Sequence, residues 1–275
     1  MYSRAYVEIT NVCNMACSFC HGHKRASRQM SREEFSKILE QLADKTQYIY
    51  YHLMGEPLTH PLLPEFLQMA KAAGFHSVIT TNGTLLPKRG QALLAAGIHK
   101  VNISLHSFEQ GSEESFEKYL AGVADFAEEA TGQGVIVSLR LWNRGFDGGR
   151  NEEILAFLHR RFPEPWRENT RGYCLINKLF LESDDRFDWP DKDAREVGDR
   201  VACYGLRDQF GILADGTVVP CCLDSEGVID LGNVFTQPLS GILESPRAKA
   251  MAEGFRNRKA TEELCRRCGY AQRFG

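Results

Sequence analysis

The sequence predicts an α/β fold in which strand–helix units build a parallel sheet, followed by a smaller α+β tail. Three observations carry this prediction. Strand-like apolar runs alternate with helical apolar stripes from Tyr6 to Glu182, the pattern of a parallel sheet with crossover helices. The rhythm stops after Phe187, where Trp189-Pro190-Asp191-Lys192-Asp193 reads as a polar connection. Beyond it, Gln209 to Leu213 and Thr217 to Cys221 flank Ala214-Asp215-Gly216, a hairpin with Asp-Gly turn chemistry. Residues 1–188 and 189–275 are therefore expected as a core domain and a tail domain.

The first strand is Tyr6-Val7-Glu8-Ile9-Thr10. Ser31 opens a helix with Glu34 three residues on, a capping box, and Phe35, Ile38, Leu39 and Leu42 share one face. Tyr48 to Leu53 is the second strand, and Leu63, Phe66, Leu67 and Ala70 repeat the helical spacing. A third strand ends at Thr80-Thr81-Asn82-Gly83-Thr84; Leu93, Leu94 and Ile98 mark the helix after it. Val101-Asn102-Ile103-Ser104-Leu105 is the fourth strand, and Phe116, Leu120, Val123, Ala127 and Ala130 mark a longer helix before Gly132 and Gly134. Val135 to Trp142 is the fifth, followed by a helix carrying Ile154, Leu155 and Leu158, and Asn177 to Glu182 is the sixth. In the tail, Leu239, Ile242 and Leu243 lie on one side of a helix. Periodicity does not separate an open sheet from a barrel. In barrels of strand–helix units the chemistry sits at the C-terminal strand ends, where the first cysteines, Glu56, Asn82 and His106 fall.

The 275 residues are 43% hydrophobic, enough for an ordinary core, and the net charge of −3 makes no general argument for nucleic acid or membrane partners. No apolar run approaches the roughly 20 residues a membrane helix needs. The chain enters its first strand without a basic-then-apolar leader. Nine cysteines grouped at metal-like spacings fit reduced thiols in a cytoplasm better than disulfides.

Cys13, Cys17 and Cys20 follow the first strand as Cys-x3-Cys-x2-Cys. Three thiolates at this spacing can ligate three irons of a [4Fe–4S] cube and leave the fourth iron without a protein ligand, a site suited to chemistry at that iron. Zinc is the alternative, with His21 or His23 completing the usual four ligands.

The cysteine spacing resembles the signature of the radical S-adenosylmethionine (SAM) enzymes, and further motifs follow in that family's order. Met54-Gly55-Glu56-Pro57 resembles its Gly-Gly-Glu-Pro segment, with Met in place of the first Gly. The resemblance implies that Gly55 and Glu56 bind the methionine amine through backbone and carboxylate oxygens. It places Thr81 and Asn82 in the SAM site, Phe19 beside the adenine, Ser104 on the ribose and Arg140 on the SAM carboxylate. It covers roughly the first two-thirds of the chain. The expected fold becomes a partial (β/α)6 TIM-like radical SAM barrel.

The tail adds Cys203, Cys221, Cys222, Cys265 and Cys268. Cys203-x12-Gly-x4-Cys221, Leu231-Gly232-Asn233-Val234 and the closing Cys-x2-Cys resemble the SPASM and twitch extensions of the family. With seven residues after Cys268, the resemblance implies one auxiliary [4Fe–4S] cluster held by Cys203, Cys221, Cys265 and Cys268. Cys222 could replace Cys221, and a four-cysteine zinc site is the bland alternative. Cys174 reads as a buried apolar residue.

Lys24, Arg25 and Arg28 follow the first cysteine loop, and Arg256, Arg258, Lys259, Arg266 and Arg267 surround the second group. They read as a solvated face, as cations that favour reduced clusters, or as a groove for an acidic leader peptide. His106 and Trp142 share strand parity with Ser104 and Arg140 and are expected inside the barrel; His52 and His60 are expected to pack. Glu182 and Asp215 are candidate bases of common type.

The resemblance implies reductive cleavage of SAM to a 5′-deoxyadenosyl radical that abstracts hydrogen from a substrate. The auxiliary cluster would accept an electron, and flavodoxin or ferredoxin would serve as reductant. A peptide or protein substrate, oxidised or cross-linked, ranks first; dehydrogenation of a small alcohol or sugar ranks second. A two-cluster electron carrier and a zinc-stabilised binding protein are the non-enzyme readings.

Overall fold

The computed structural model describes residues 1–109, 112–148, 150–163 and 165–274. Its centre is a ten-stranded sheet in the order β10-β9-β1-β2-β3-β4-β5-β8-β7-β6. Six strands predicted from the sequence form its parallel middle: β1 (Arg4–Val7), β2 (Tyr48–Tyr50), β3 (His76–Thr81), β4 (Lys100–Ser104), β5 (Ile136–Arg144) and β8 (Leu179–Asp185). No pairing among the described residues joins β10 to β6, so the sheet is open.

Five helices alternate with these strands: α1 (Arg32–Leu42), α2 (Leu63–Ala72), α3 (Leu86–Ala95), α4 (Glu113–Gly132) and α5 (Arg150–Arg161). The capping box forms as predicted: the Glu34 amide donates to Ser31 Oγ at 3.2 Å, and the Ser31 amide to Glu34 Oε2 at 2.8 Å. Such a cap stabilises a helix start by about 1 kcal/mol. Strand parity divides the sheet chemically. Ala5, Val7, Ile49, Ile79, Val101, Ile103, Val137, Leu139, Leu179 and Leu181 join the helix stripes in one apolar cluster. The alternate positions, Arg4, Tyr6, Glu8, Tyr50, Lys100, Asn102, Ser104, Ser138, Arg140 and Glu182, occupy the other face. Burying one face against helices leaves a polar face available for ligands.

Two elements had no signal in the sequence. β6 (Arg167–Asn169) and β7 (Gly172–Ile176) extend the sheet antiparallel to β8. All three β6 residues are exposed, so no apolar alternation marks the strand. Helix α7 (Pro246–Arg256) follows the predicted α6 (Leu239–Leu243) and starts at the Ser245 cap. A four-residue helix, α8 (Glu263–Arg266), carries Cys265.

The tail hairpin, β9 (Gln209–Ile212) and β10 (Val218–Val219), turns at Gly216 with φ +88°. β9 pairs in parallel with β1, from Arg4 opposite Gln209 to Val7 opposite Ile212. Phe210, Ile212 and Val218 therefore belong to the same apolar cluster as Ala5 and Val7.

Candidate active site

The first cysteine loop is tied to the ends of β2, β3 and β4. From the β2 end, the Glu56 amide donates to the Val12 carbonyl at 2.9 Å. From the β3 end, Asn82 Nδ2 donates to Asn14 Oδ1 at 3.0 Å. Beyond β4, Cys17 Sγ lies 3.6 Å from the Ser107 carbonyl, and Ser18 donates from its amide and hydroxyl to Glu109 at 2.6 Å each. Cys13 and Cys20 are exposed and Cys17 is half-buried. The three thiols lie within electrostatic reach of one another. Burial, with Glu109 and the other two thiols, pushes Cys17 up to about 11. Three closely placed thiols are the donor set that an iron–sulfur cluster uses, its cationic irons favouring thiolate ligands. Among the described residues, no three His, Cys, Asp or Glu side chains are grouped as a site for a single metal ion.

Gly55 has φ +76°, and a Cβ there would stand 2.5 Å from the Thr10 carbonyl oxygen. Only glycine lets the β2 loop lie this close to the chain entering the cysteine loop. Glu56 is 2% exposed. Its Oε1 accepts from the Leu58 amide at 2.9 Å and its Oε2 from the Asn82 amide at 2.7 Å. Each oxygen thus carries one backbone bond, and the Thr81 side chain also hydrogen-bonds this carboxylate. Burial pushes this carboxyl up to about 7. Thr81 Oγ1 accepts from the Gly83 amide at 3.0 Å and shapes the same turn.

Ser104 and Arg140 are register partners on β4 and β5, and Arg140 is paired with Glu182 of β8. Arg140 Nε lies 3.4 Å from Glu182 Oε2, and its guanidinium sits 4.5 Å over the Trp142 ring. Ser138 donates to Glu182 Oε1 at 2.9 Å, and Lys100 Nζ is 3.9 Å from it. Arg140, expected on the SAM carboxylate, lies between Glu182 and Trp142. Arg140 Nε, Glu182 Oε2 and His52 Nδ1 are buried without hydrogen-bond partners.

Phe19 packs against His106 with ring centroids 4.9 Å apart. His106 Nδ1 lies 3.0 Å from the Arg140 carbonyl, so loop and β5 meet at this imidazole. His52 also lies on this side, its ring 5.3 Å from that of Tyr6. His60 is buried and bonded to the Met30 carbonyl at 3.0 Å.

The second group gathers around one cavity of about 400 Å3, counting space open to solvent, lined by Cys203, Cys221, Cys265 and Cys268 among apolar side chains. The Gly205 amide donates to Cys203 Sγ at 3.3 Å. A Cβ on Gly205 would stand 3.1 Å from the Pro220 carbonyl oxygen, closer than an ordinary contact. Burial and the neighbouring thiols push Cys221 and Cys265 well up, and Cys268 to about 11. Four converging thiols in an apolar shell fit a metal–sulfur cluster, whose positive metals would displace their protons. Cys222 is not part of the wall. It packs against Tyr6, Leu53, Leu213 and Val219 on the polar-face side of the sheet. Cys174 lies apart on β7, 3.2 Å from the Ile176 carbonyl.

Sequence reasoning missed Glu8, Asn14, Glu109 and Trp189. Trp189 Nε1 donates to the Phe19 carbonyl at 3.2 Å. Glu8 is wholly buried and paired with Arg25 at 2.7 Å. The available signal was a carboxylate inside the apolar run Val7-Glu8-Ile9, because charges are almost never fully buried unless paired.

The Radical SAM superfamily model matches residues 7–140, and SPASM, an iron–sulfur cluster-binding domain, matches residues 203–269. The chain is 36% identical over 108 residues to GTP 3′,8-cyclase of Chlorobaculum tepidum, covering 38% of this chain and 33% of that protein. It is 32% identical over 127 residues to AdoMet-dependent heme synthase of Methanosarcina barkeri, covering 42% and 36%. The matched segments thus span about a third of these relatives. Among solved structures, BtrN in complex with AdoMet and 2-DOIA superposes with TM-score 0.63 at 20% identity, covering 98% of this chain and 93% of BtrN. Streptococcus suis SuiB bound to the precursor peptide SuiA superposes with TM-score 0.58 at 15% identity, covering 99% and 70%. These likenesses establish the shared fold.

Proposed function

Because this chain belongs to the radical SAM superfamily and carries an SPASM iron–sulfur domain behind its core, we propose that it oxidises or cross-links a peptide or protein substrate by hydrogen abstraction. The carrying observation is the pairing of a three-thiol loop, two of its thiols exposed, with a separate four-thiol cavity. When bound, the first cluster and SAM supply one-electron chemistry that removes hydrogen from an unactivated C–H bond, and one auxiliary cluster accepts the substrate's electron.

Cys13, Cys17 and Cys20 hold the first cluster, and Cys203, Cys221, Cys265 and Cys268 the second. Gly55 presents its loop to the methionine end of SAM, and Glu56 and Asn82 brace that loop from β3. Ser104 meets the ribose and Phe19 the adenine. Arg140 faces the carboxylate end of SAM, steered by Glu182 and Trp142. Residues 1–188 form the SAM-cleaving section and 189–275 the auxiliary section.

The SuiB–SuiA likeness supports a peptide substrate. The BtrN likeness, to a chain solved with AdoMet and 2-DOIA and covering 93% of it, favours a small-molecule substrate as the second reading, for which we propose dehydrogenation of an alcohol or sugar. No helix among the described residues is long and apolar enough to cross a membrane. With its cysteines as thiols and cluster ligands, the proposed setting is the cytoplasm, with flavodoxin or ferredoxin as reductant. Anaerobic reconstitution followed by SAM and dithionite tests the assignment. Release of 5′-deoxyadenosine is expected, and its absence from iron-loaded protein would leave the electron-carrier reading. A short peptide gene beside this one would support the peptide ranking.

A further inference from the structure

Glu8 touches three parts of the molecule with one carboxylate. It stands at the end of β1 and is completely buried. Its Oε2 accepts from the Met54 amide at 3.1 Å, at the start of the loop that carries Gly55 and Glu56. The same oxygen accepts from Arg25 Nη2 at 2.7 Å, behind the first cysteine loop. Its Oε1 accepts from the Ala214 amide at 3.1 Å, in the turn of the tail hairpin.

Arg25 carries the connection onward. Its Nε donates to the Ser225 carbonyl at 2.7 Å. The preceding residue, Asp224, lines the four-cysteine cavity and accepts from the Val228 and Ile229 amides at 2.9 and 2.8 Å. Two parallel ties join the same segments: Arg28 Nε to the Ala214 carbonyl at 2.7 Å, and the Lys24 amide to Glu226 Oε1 at 2.8 Å. A path of charged and backbone hydrogen bonds, joined through the Asp224–Ser225 peptide link, therefore runs from the auxiliary cavity wall to the Met54 loop.

We propose that Glu8 and Arg25 are positioning residues that couple SAM binding at the first site to the auxiliary section, so that filling one site orders the other. This rests on the reading of the first site as the SAM site. The pair is buried and multiply hydrogen-bonded, so removing one partner strands the other charge and both loops lose a shared anchor. Coupling between two binding sites is reciprocal, so SAM must tighten the tail as the tail tightens SAM. Arginine suits the post because its planar fork reaches Glu8 with one nitrogen and Ser225 with another; lysine has a single ammonium.

Hydrogen exchange on the full, iron-loaded chain, with and without SAM and without reductant, tests the coupling. In wild type, SAM is expected to protect residues 10–20 and 54–59 and also the distant segment 213–229. In Arg25→Gln, saturating SAM is expected to protect the first two segments and leave 213–229 unchanged, with SAM affinity lowered about fivefold or more. Arg25→Lys is expected to recover part of the affinity and little of the tail protection. Glu8→Gln repeats the test from the other partner, with iron content confirming that the first site is loaded. Protection of the SAM loops without the tail in wild type would overturn the coupling and leave the SAM site intact. Persistence of tail protection in Arg25→Gln would also overturn it. No protection anywhere would overturn the SAM site and the coupling together.

Discussion

Cys221 and Cys222 are adjacent in the chain, yet their thiols serve different environments: Cys221 lines the four-thiol cavity, and Cys222 packs against Tyr6 beside β1. Both residues lie in the bend and turn just past the edge strand β10 (Val218–Val219), where no regular alternation holds, and the turn sends one thiol into the tail cavity and the other onto the sheet. Cys221→Ser should lower iron in the anaerobic protein from about eight to about four atoms, the content of one cube. Cys222→Ser should keep about eight. The reverse result would exchange the two ligand assignments. Four irons with one zinc in wild type would make the tail structural.

The Cys13/Cys17/Cys20 triple alanine variant should lose one cluster and all 5′-deoxyadenosine formation while remaining folded. Its fold is held by the apolar cluster between sheet and helices, to which none of the three contributes. Circular dichroism, iron analysis and a product assay on the same preparation check each part.

Gly55→Ala should disable SAM binding more severely than its size suggests. The added methyl meets backbone, 2.5 Å from the Thr10 oxygen, and the residue must hold φ +76°. Strain of this kind costs about 1–3 kcal/mol and cannot be relieved by turning a side chain. Thermal melts and SAM titrations should both move; normal SAM affinity would show that this loop does not form the site.

Ser104→Ala should weaken SAM binding modestly, since one neutral hydrogen bond contributes about 0.5–1.5 kcal/mol. Arg140→Ala should cost more, because a charge-assisted bond to the SAM carboxylate is stronger than a neutral one. Equal and negligible changes in SAM affinity would remove both residues from the site.

Acid should destabilise the protein partly through His52. Burial, then the nearby Arg140 charge, lower this imidazole to about 3 from an ordinary 6.5. A lowered histidine favours its neutral form in the fold, so its contribution is complete above about pH 6.5 and is lost as pH falls toward 3. The slope from this group reaches at most about 1.4 kcal/mol per pH unit. His52→Gln should flatten urea stability between pH 6.5 and 5 relative to wild type; an unchanged slope would mean that His52 already has a partner.

The order of strands and helices was legible because burial on one sheet face demands period-two and period-3.6 apolar patterns, and residues such as Val101, Ile103, Phe116 and Leu120 carry them. The cysteine groups and the Met54-Gly55-Glu56-Pro57 segment were legible because metal and loop chemistry depend on local spacing. β6 was hidden because its exposed residues bury nothing. Whether Cys221 or Cys222 enters the cavity was open, since neighbouring thiols look alike until the turn after β10 aims them. The role of Glu8 lay furthest from view. Its partners stand 17, 46 and 206 residues away, and only the pairing of β9 beside β1 brings the tail turn within reach of its carboxylate. Sequence patterns record what each segment must bury; which distant polar groups share that burial is decided when the sheet assembles.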